Sequence, residues 1–81
     1  MPPSVEIVIP VYNEERDLSK SITRLREFLR ATAFPYAWRI LIADNGSTDS
    51  TLAIAQRLAQ EHPGEVTYIH LPEKGRGKAL K

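Results

Sequence analysis

Three short segments gather the residue types able to do chemistry. Pro10-Val11-Tyr12-Asn13-Glu14-Glu15 joins an aromatic ring to two carboxylates. Asp44-Asn45-Gly46-Ser47-Thr48-Asp49 sets carboxylates, an amide and hydroxyls around a glycine, and Pro72-Glu73-Lys74-Gly75-Arg76-Gly77-Lys78 alternates cations with glycines. An aromatic ring offers a stacking face, and a carboxylate, an acceptor-only group, suits the ring N–H of uracil or guanine. A glycine loop that carries cations and leads into a helix can hold a diphosphate. The last segment is not a P-loop, because Pro72 stands where the first glycine would be and Ala79 where the magnesium-binding hydroxyl would be. After Asp49 the only acids are Glu61, Glu65 and Glu73, scattered and unpaired, so neither a metal ligand set nor a catalytic base can be assigned.

The elements that must position these segments alternate in type. Val5–Ile9, Trp38–Ala43 and Val66–His70 are β-branched or apolar runs bounded by Pro10, Asp44 and Pro72, and read as strands. Between the first two, Leu18, Ile22, Leu25 and Leu29 recur at spacings of four, three and four, one face of a helix. Asn13 is its expected N-cap, with Glu14 and Glu15 in the first turn against the positive end of the dipole. Leu52, Ile54, Ala55, Leu58 and Ala59 mark a second helix, capped by Thr48 or Asp49 and ended by Pro63-Gly64. Strand, helix, strand, helix, strand implies an α/β fold with a parallel sheet and right-handed crossovers. The near-continuous apolar strands suggest a three-layer sandwich, buried on both faces. In such a sheet ligands bind outside the carboxyl ends of the strands, and all three segments fall there. Three strands and two helices are half of a doubly wound fold, so residues 1–81 are expected to be the amino-terminal portion of a larger domain.

Charge and composition narrow the classes. Eleven Lys and Arg against ten Asp and Glu give a net charge of +1, without the footprint of a nucleic-acid binder. Locally, residues 73–81 hold four cations and one anion. No run is long and apolar enough for a spanning helix and the start is not a signal peptide, so a cytoplasmic location is the default expectation. With no cysteine, disulfides and thiolate chemistry are excluded. Arg16, Lys20, Arg24 and Arg30 lie opposite the apolar stripe of the first helix and read as its solvated face. His62 suits the end of the second helix, and His70, a lone histidine closing the third strand on the site side, reads as structural.

Val8-Ile9-Pro10-Val11-Tyr12-Asn13-Glu14-Glu15, Ile42-Ala43-Asp44-Asn45-Gly46-Ser47-Thr48-Asp49-Ser50-Thr51 and Gly75-Arg76-Gly77-Lys78-Ala79-Leu80, in that order, resemble the start of the family 2 glycosyltransferases of the glycosyltransferase A fold. The last segment is most similar to the branch that loads mannose or glucose onto polyprenyl or dolichyl phosphate. Asn45 departs from the commoner Asp-Asp-Gly-Ser form. The resemblance implies an inverting enzyme that takes a sugar from a UDP- or GDP-sugar and gives it to an acceptor, here a polyprenyl or dolichyl phosphate. It implies that Pro10 and Tyr12 hold the base, that Glu14 lies near the ribose or base, and that Asp44 accepts a hydrogen bond from the base. Gly46 belongs to the same motif, and Arg76 and Lys78 would meet the diphosphate. The complete family uses Mg²⁺ or Mn²⁺ bound by an Asp-x-Asp type motif that this chain lacks, so the 81 residues alone are expected to be inactive, and the complete protein could be membrane-associated. The alternative is a non-catalytic nucleotide-sugar binding or interaction module. In an isolated chain of this length the first strand would expose an unpaired apolar edge and invite self-association.

Overall fold

The computed structural model describes residues 4–32 and 35–72. The order is β1 (Ser4–Val11), α1 (Leu18–Ala31), β2 (Ala37–Asn45), α2 (Thr51–Glu61) and β3 (Val66–Leu71). The strands form one parallel sheet in the order β1-β2-β3. It is the βαβαβ half of a Rossmann-like α/β fold.

Burial along the strands alternates. Ile7, Ile9 and Val11 of β1 lie beside Ile40, Ile42 and Asp44 of β2, and these beside Val66, Tyr68 and His70 of β3. On this face Ile40, Ile42 and Val66 pack into one core with Leu18, Ile22 and Leu29 of α1 and Ala55 and Leu58 of α2. The apolar stripe that predicts α1 is thus the stripe that is buried, with Leu25 partly covered. Both helices cover the same face. The other face carries Val8, Ile69 and Leu71, at 52%, 45% and 43% exposure, so the described residues make two layers and no third covers the strands' far side. The alternation was masked in the sequence because residues on the open face, Val8, Leu41, Ala43 and Ile69, are apolar too.

Strand limits differ from the sequence expectation at the ends that matter. Pro10 does not terminate β1 but lies within it; β1 pairs only with β2, and an edge strand tolerates a residue that lacks an N–H. Likewise β2 runs through Asp44 to Asn45, which makes Asp44 a strand residue with a fixed direction.

Candidate functional site

At the carboxyl end of the sheet Val11, Asp44 and His70 stand in one row across the three strands, all on the helix-covered face. Asp44 is completely buried. Its Oδ2 accepts a hydrogen bond from Nδ1–H of His70 at 2.8 Å, while the His70 side chain is 39% exposed. Its Oδ1 is buried with no hydrogen-bond partner, the one side-chain polar atom in that condition among the described residues. Nearly all buried polar groups are paired, and leaving one unpaired costs about 1–3 kcal/mol, so an orphaned carboxylate oxygen at a strand end needs an explanation.

Beyond this row the two loops that leave β1 and β2 are laced together. The Asn13 amide donates to the Ser47 hydroxyl at 2.8 Å, and the Thr48 amide donates back to Asn13 Oδ1 at 2.8 Å. The Glu14 amide donates to Thr51 Oγ1 at 2.7 Å, and the Ser50 amide to Glu15 Oε1 at 2.9 Å. Asp49 completes the lace. Its Oδ1 accepts from the Thr51 amide at 2.9 Å and from the Thr51 hydroxyl, and its Oδ2 accepts from the Glu15 amide at 3.4 Å. Burial pushes the Asp49 carboxyl up, but these hydrogen bonds from Thr51 and Glu15 outweigh it and leave it below the usual aspartate range.

This arrangement corrects the expected caps. α1 begins at Leu18 with Asp17 at the N-cap, not at Asn13, and Glu14 and Glu15 lie in the turn before the helix, where the Glu14 carbonyl accepts from the Asp17 and Leu18 amides. Asn13 takes a positive φ of 51°, which asparagine tolerates, and its side chain serves the Thr48 amide of the neighbouring loop instead. At α2 the N-cap position is Ser50, which makes no side-chain cap, and Asp49 reaches the Thr51 amide from one residue earlier. Thr48, the other expected cap, is committed to Asn13.

Of the residues expected to form a nucleotide site, the structure brings Pro10, Tyr12, Glu14, Asp44 and Gly46 to the carboxyl ends of β1 and β2. Pro10 lies beside Ala43, one step before the Asp44 row, and on the opposite face of the sheet. Tyr12 follows β1 directly and is 39% exposed. Gly46 follows β2 with φ at 78°, a left-handed conformation that sends the chain sharply out of the strand. Glu14 contributes its amide to the lace, and its side chain is exposed. Arg76 and Lys78 lie outside the described residues. His70 is where sequence reasoning stopped short. A parallel register is not written in any one strand, and aligning the end signals Asp44 and Pro72 would have set His70 beside Ile42 instead of Asp44.

No group of three or more His, Asp or Glu side chains among the described residues could hold a metal ion. Of the aspartates at this end, Asp44 is bonded to His70 through one oxygen, Asp49 is bonded to Thr51 and Glu15, and Asp17 stands at the N-cap of α1. No described helix is long and apolar enough to cross a membrane.

Comparison with known families decides the lineage: the family described as "Glycosyl transferase family 2" matches residues 6–81. The chain belongs to glycosyl transferase family 2. Among curated family 2 relatives, it is 42% identical over 74 residues to the succinoglycan biosynthesis protein ExoA of Rhizobium meliloti (strain 1021), covering 91% of this chain and 21% of that protein. It is 29% identical over 80 residues to the dolichyl-phosphate beta-glucosyltransferase ALG5A of Trichomonas vaginalis (strain ATCC PRA-98 / G3), covering 95% of this chain and 25% of that protein. To the undecaprenyl-phosphate 4-deoxy-4-formamido-L-arabinose transferase of Salmonella choleraesuis (strain SC-B67) it is 36% identical over 67 residues, 83% of this chain and 20% of the relative. The chain therefore spans about a quarter or less of the length of these family 2 proteins.

Proposed function

We propose that this chain is the nucleotide-binding part of an inverting glycosyltransferase, in which residues 1–81 open a longer catalytic domain. The donor is a sugar carried on a nucleoside diphosphate, UDP or GDP, and the acceptor is a polyprenyl or dolichyl phosphate. Two of the relatives named above support that acceptor, since their names state transfer to dolichyl phosphate and undecaprenyl phosphate. In the transfer an acceptor oxygen bonds to the anomeric carbon as the bond from that carbon to the diphosphate breaks. The nucleoside diphosphate leaves.

The observation that carries this reading is Asp44: a buried carboxylate, at a strand end, with one oxygen left over. Oδ1 is closed to solvent, so a donor reaches it as the rim of the site opens. The ring N–H of a base then gives the missing partner. Tyr12 supplies a face for the base together with Pro10, Glu14 stands toward the ribose, and Gly46 lets the backbone come close. Arg76 and Lys78 meet the diphosphate. A cation about 4 Å from a phosphate gains on the order of 4 kcal/mol at an effective dielectric near 20 before desolvation, so both should matter to nucleotides and hardly to nucleosides.

Calorimetric titration of the full-length protein with uridine and guanosine diphosphates tests the reading. Asp44→Ala should weaken binding of the preferred nucleotide by about 1.5–3 kcal/mol, and Asp44→Asn by less, since an amide oxygen still accepts. Unchanged affinity in both variants would remove Asp44 from the site.

A further inference from the structure

Resting on the assignment of Asp44 to the base, the geometry points to His70 as a positioning residue that selects a uracil-type base over guanine. The carboxylate of Asp44 has two oxygens, and they are not equivalent. Oδ2 is bound by His70 Nδ1 at 2.8 Å, and Oδ1 has no partner. Guanine presents two parallel donors on one edge, its ring N–H and its exocyclic amine, which a carboxylate meets best with both oxygens at once. Uracil and thymine present a single ring N–H between two carbonyls, which needs one oxygen only. An oxygen can accept two hydrogen bonds in the open, but Asp44 is completely buried, and His70 occupies the approach to Oδ2. The second donor of guanine is left facing an oxygen already taken. A buried donor without a partner is penalised. Cytosine, with a bare acceptor nitrogen in place of the ring N–H, meets Oδ1 lone pair to lone pair.

His70 can play this part because β2 and β3 run parallel in a fixed register, with His70 beside Asp44 four residues after Val66 lies beside Ile40. Both side chains therefore leave the sheet on the same face. The core beneath them, Ile40, Ile42 and Val66, has no polar group to offer Asp44. Among the described residues the histidine is the sole hydrogen-bond partner of that carboxylate.

The experiment is isothermal titration of the full-length protein, wild type and His70→Ala, His70→Gln and Asp44→Ala, with UDP, GDP and CDP. Wild type should prefer UDP over GDP by on the order of tenfold or more, the worth of one charge-assisted hydrogen bond, and bind CDP weakly. His70→Ala should move the UDP:GDP ratio several-fold toward unity, and His70→Gln, whose amide can still donate to Oδ2, should restore much of it. His70 is partly exposed, so its variants should fold, which a thermal melt verifies. If Asp44→Ala lowers affinity but wild type prefers GDP, or if the ratio is the same with and without His70, the selection by His70 is overturned while the base site stands. If Asp44→Ala changes no nucleotide's affinity, the base site itself falls and this inference with it.

Discussion

The two ends of the sheet each hold a carboxylate that is far from fully exposed, and they treat it in opposite ways. At the amino end, Glu65 just before β3 accepts from Arg26 Nε and Nη2 at 2.9 and 2.7 Å and from Arg30 Nη1 at 2.7 Å, so both of its oxygens are used. At the carboxyl end, Asp44 is more deeply buried yet has one oxygen paired and one not. A saturated charge cluster ties α1 to the sheet and has nothing left to offer a ligand. An unsaturated one is held at a cost, and the cost is recovered when a donor arrives. Two hollows of about 520 and 420 Å³ also lie toward the amino end, both lined by Ala37 and Trp38.

Exchanging the roles of the two carboxylates would break the comparison most sharply. Asp44→Ala should reduce nucleotide affinity about 10- to 150-fold, while Glu65→Gln leaves it unchanged in the same titration. An equal loss from both would mean that either substitution acts through general loosening of the fold.

Stability should show the reverse ranking. Glu65→Gln should cost about 1–2 kcal/mol, toward the low end because Arg30 is mostly exposed, read from chemical denaturation of the full-length protein. The hydrogen bond from Arg26 is the largest influence on Glu65, and with the charge of both arginines it outweighs burial and holds the carboxyl below the ordinary glutamate range. A group whose value is lowered on folding stabilises fully above its unfolded value and ceases to do so as pH falls through the folded one. Melting temperature should thus decline in acid across that window, and Glu65→Gln should flatten this decline. A variant with the wild-type slope would show that the cluster contributes nothing to acid sensitivity.

A smaller effect belongs to the lace between the loops. Asn13→Gly keeps the positive φ but removes the acceptor of the Thr48 amide, and should cost about 1 kcal/mol or less. Its signature is local: faster hydrogen exchange at Thr48 with little change in the core amides of β2. Uniformly faster exchange would mean that the lace supports the whole fold and not only the site.

Smallest of all should be the effect of the open edge. β1 pairs with β2 alone, and Val8 is exposed. The 81-residue chain by itself should show weak concentration-dependent sedimentation, reduced by Val8→Lys. Identical profiles at two concentrations would remove the edge as an association surface.

The sequence made the core legible because its signals are local. Leu18, Ile22, Leu25 and Leu29 declare a helix face without reference to any other element, and the three β-branched runs declare strands. The same residues could not tell how many faces of the sheet are covered, since Val8 and Ile69 are as apolar as Ile7 and Ile42. Site residues were found by position, at strand ends. Their partners were not, because Asn13, Glu15, Ser47 and Asp49 reach the facing loop across 34 or 35 residues, while local rules offer Asn13 and Asp49 as caps and Glu15 as a first-turn carboxylate. Asp44 was read for its chemistry; its pairing with His70 required the register of two strands that no local rule supplies.

The lace has a consequence in time. Every bond in it that joins the two loops closes a loop of more than thirty residues, and none of these can form until β1 and β2 have found their register and α1 has folded back between them. Contacts of such separation are slow to gain because the chain entropy is spent before they return anything. The helices and the Ile40–Ile42 core can therefore assemble while the site is still unformed. In a pulse-labelling refolding experiment the amides of Asn13, Glu14 and Thr48 should gain protection after those of α1 and α2, making competence to bind the last property this chain acquires as it folds.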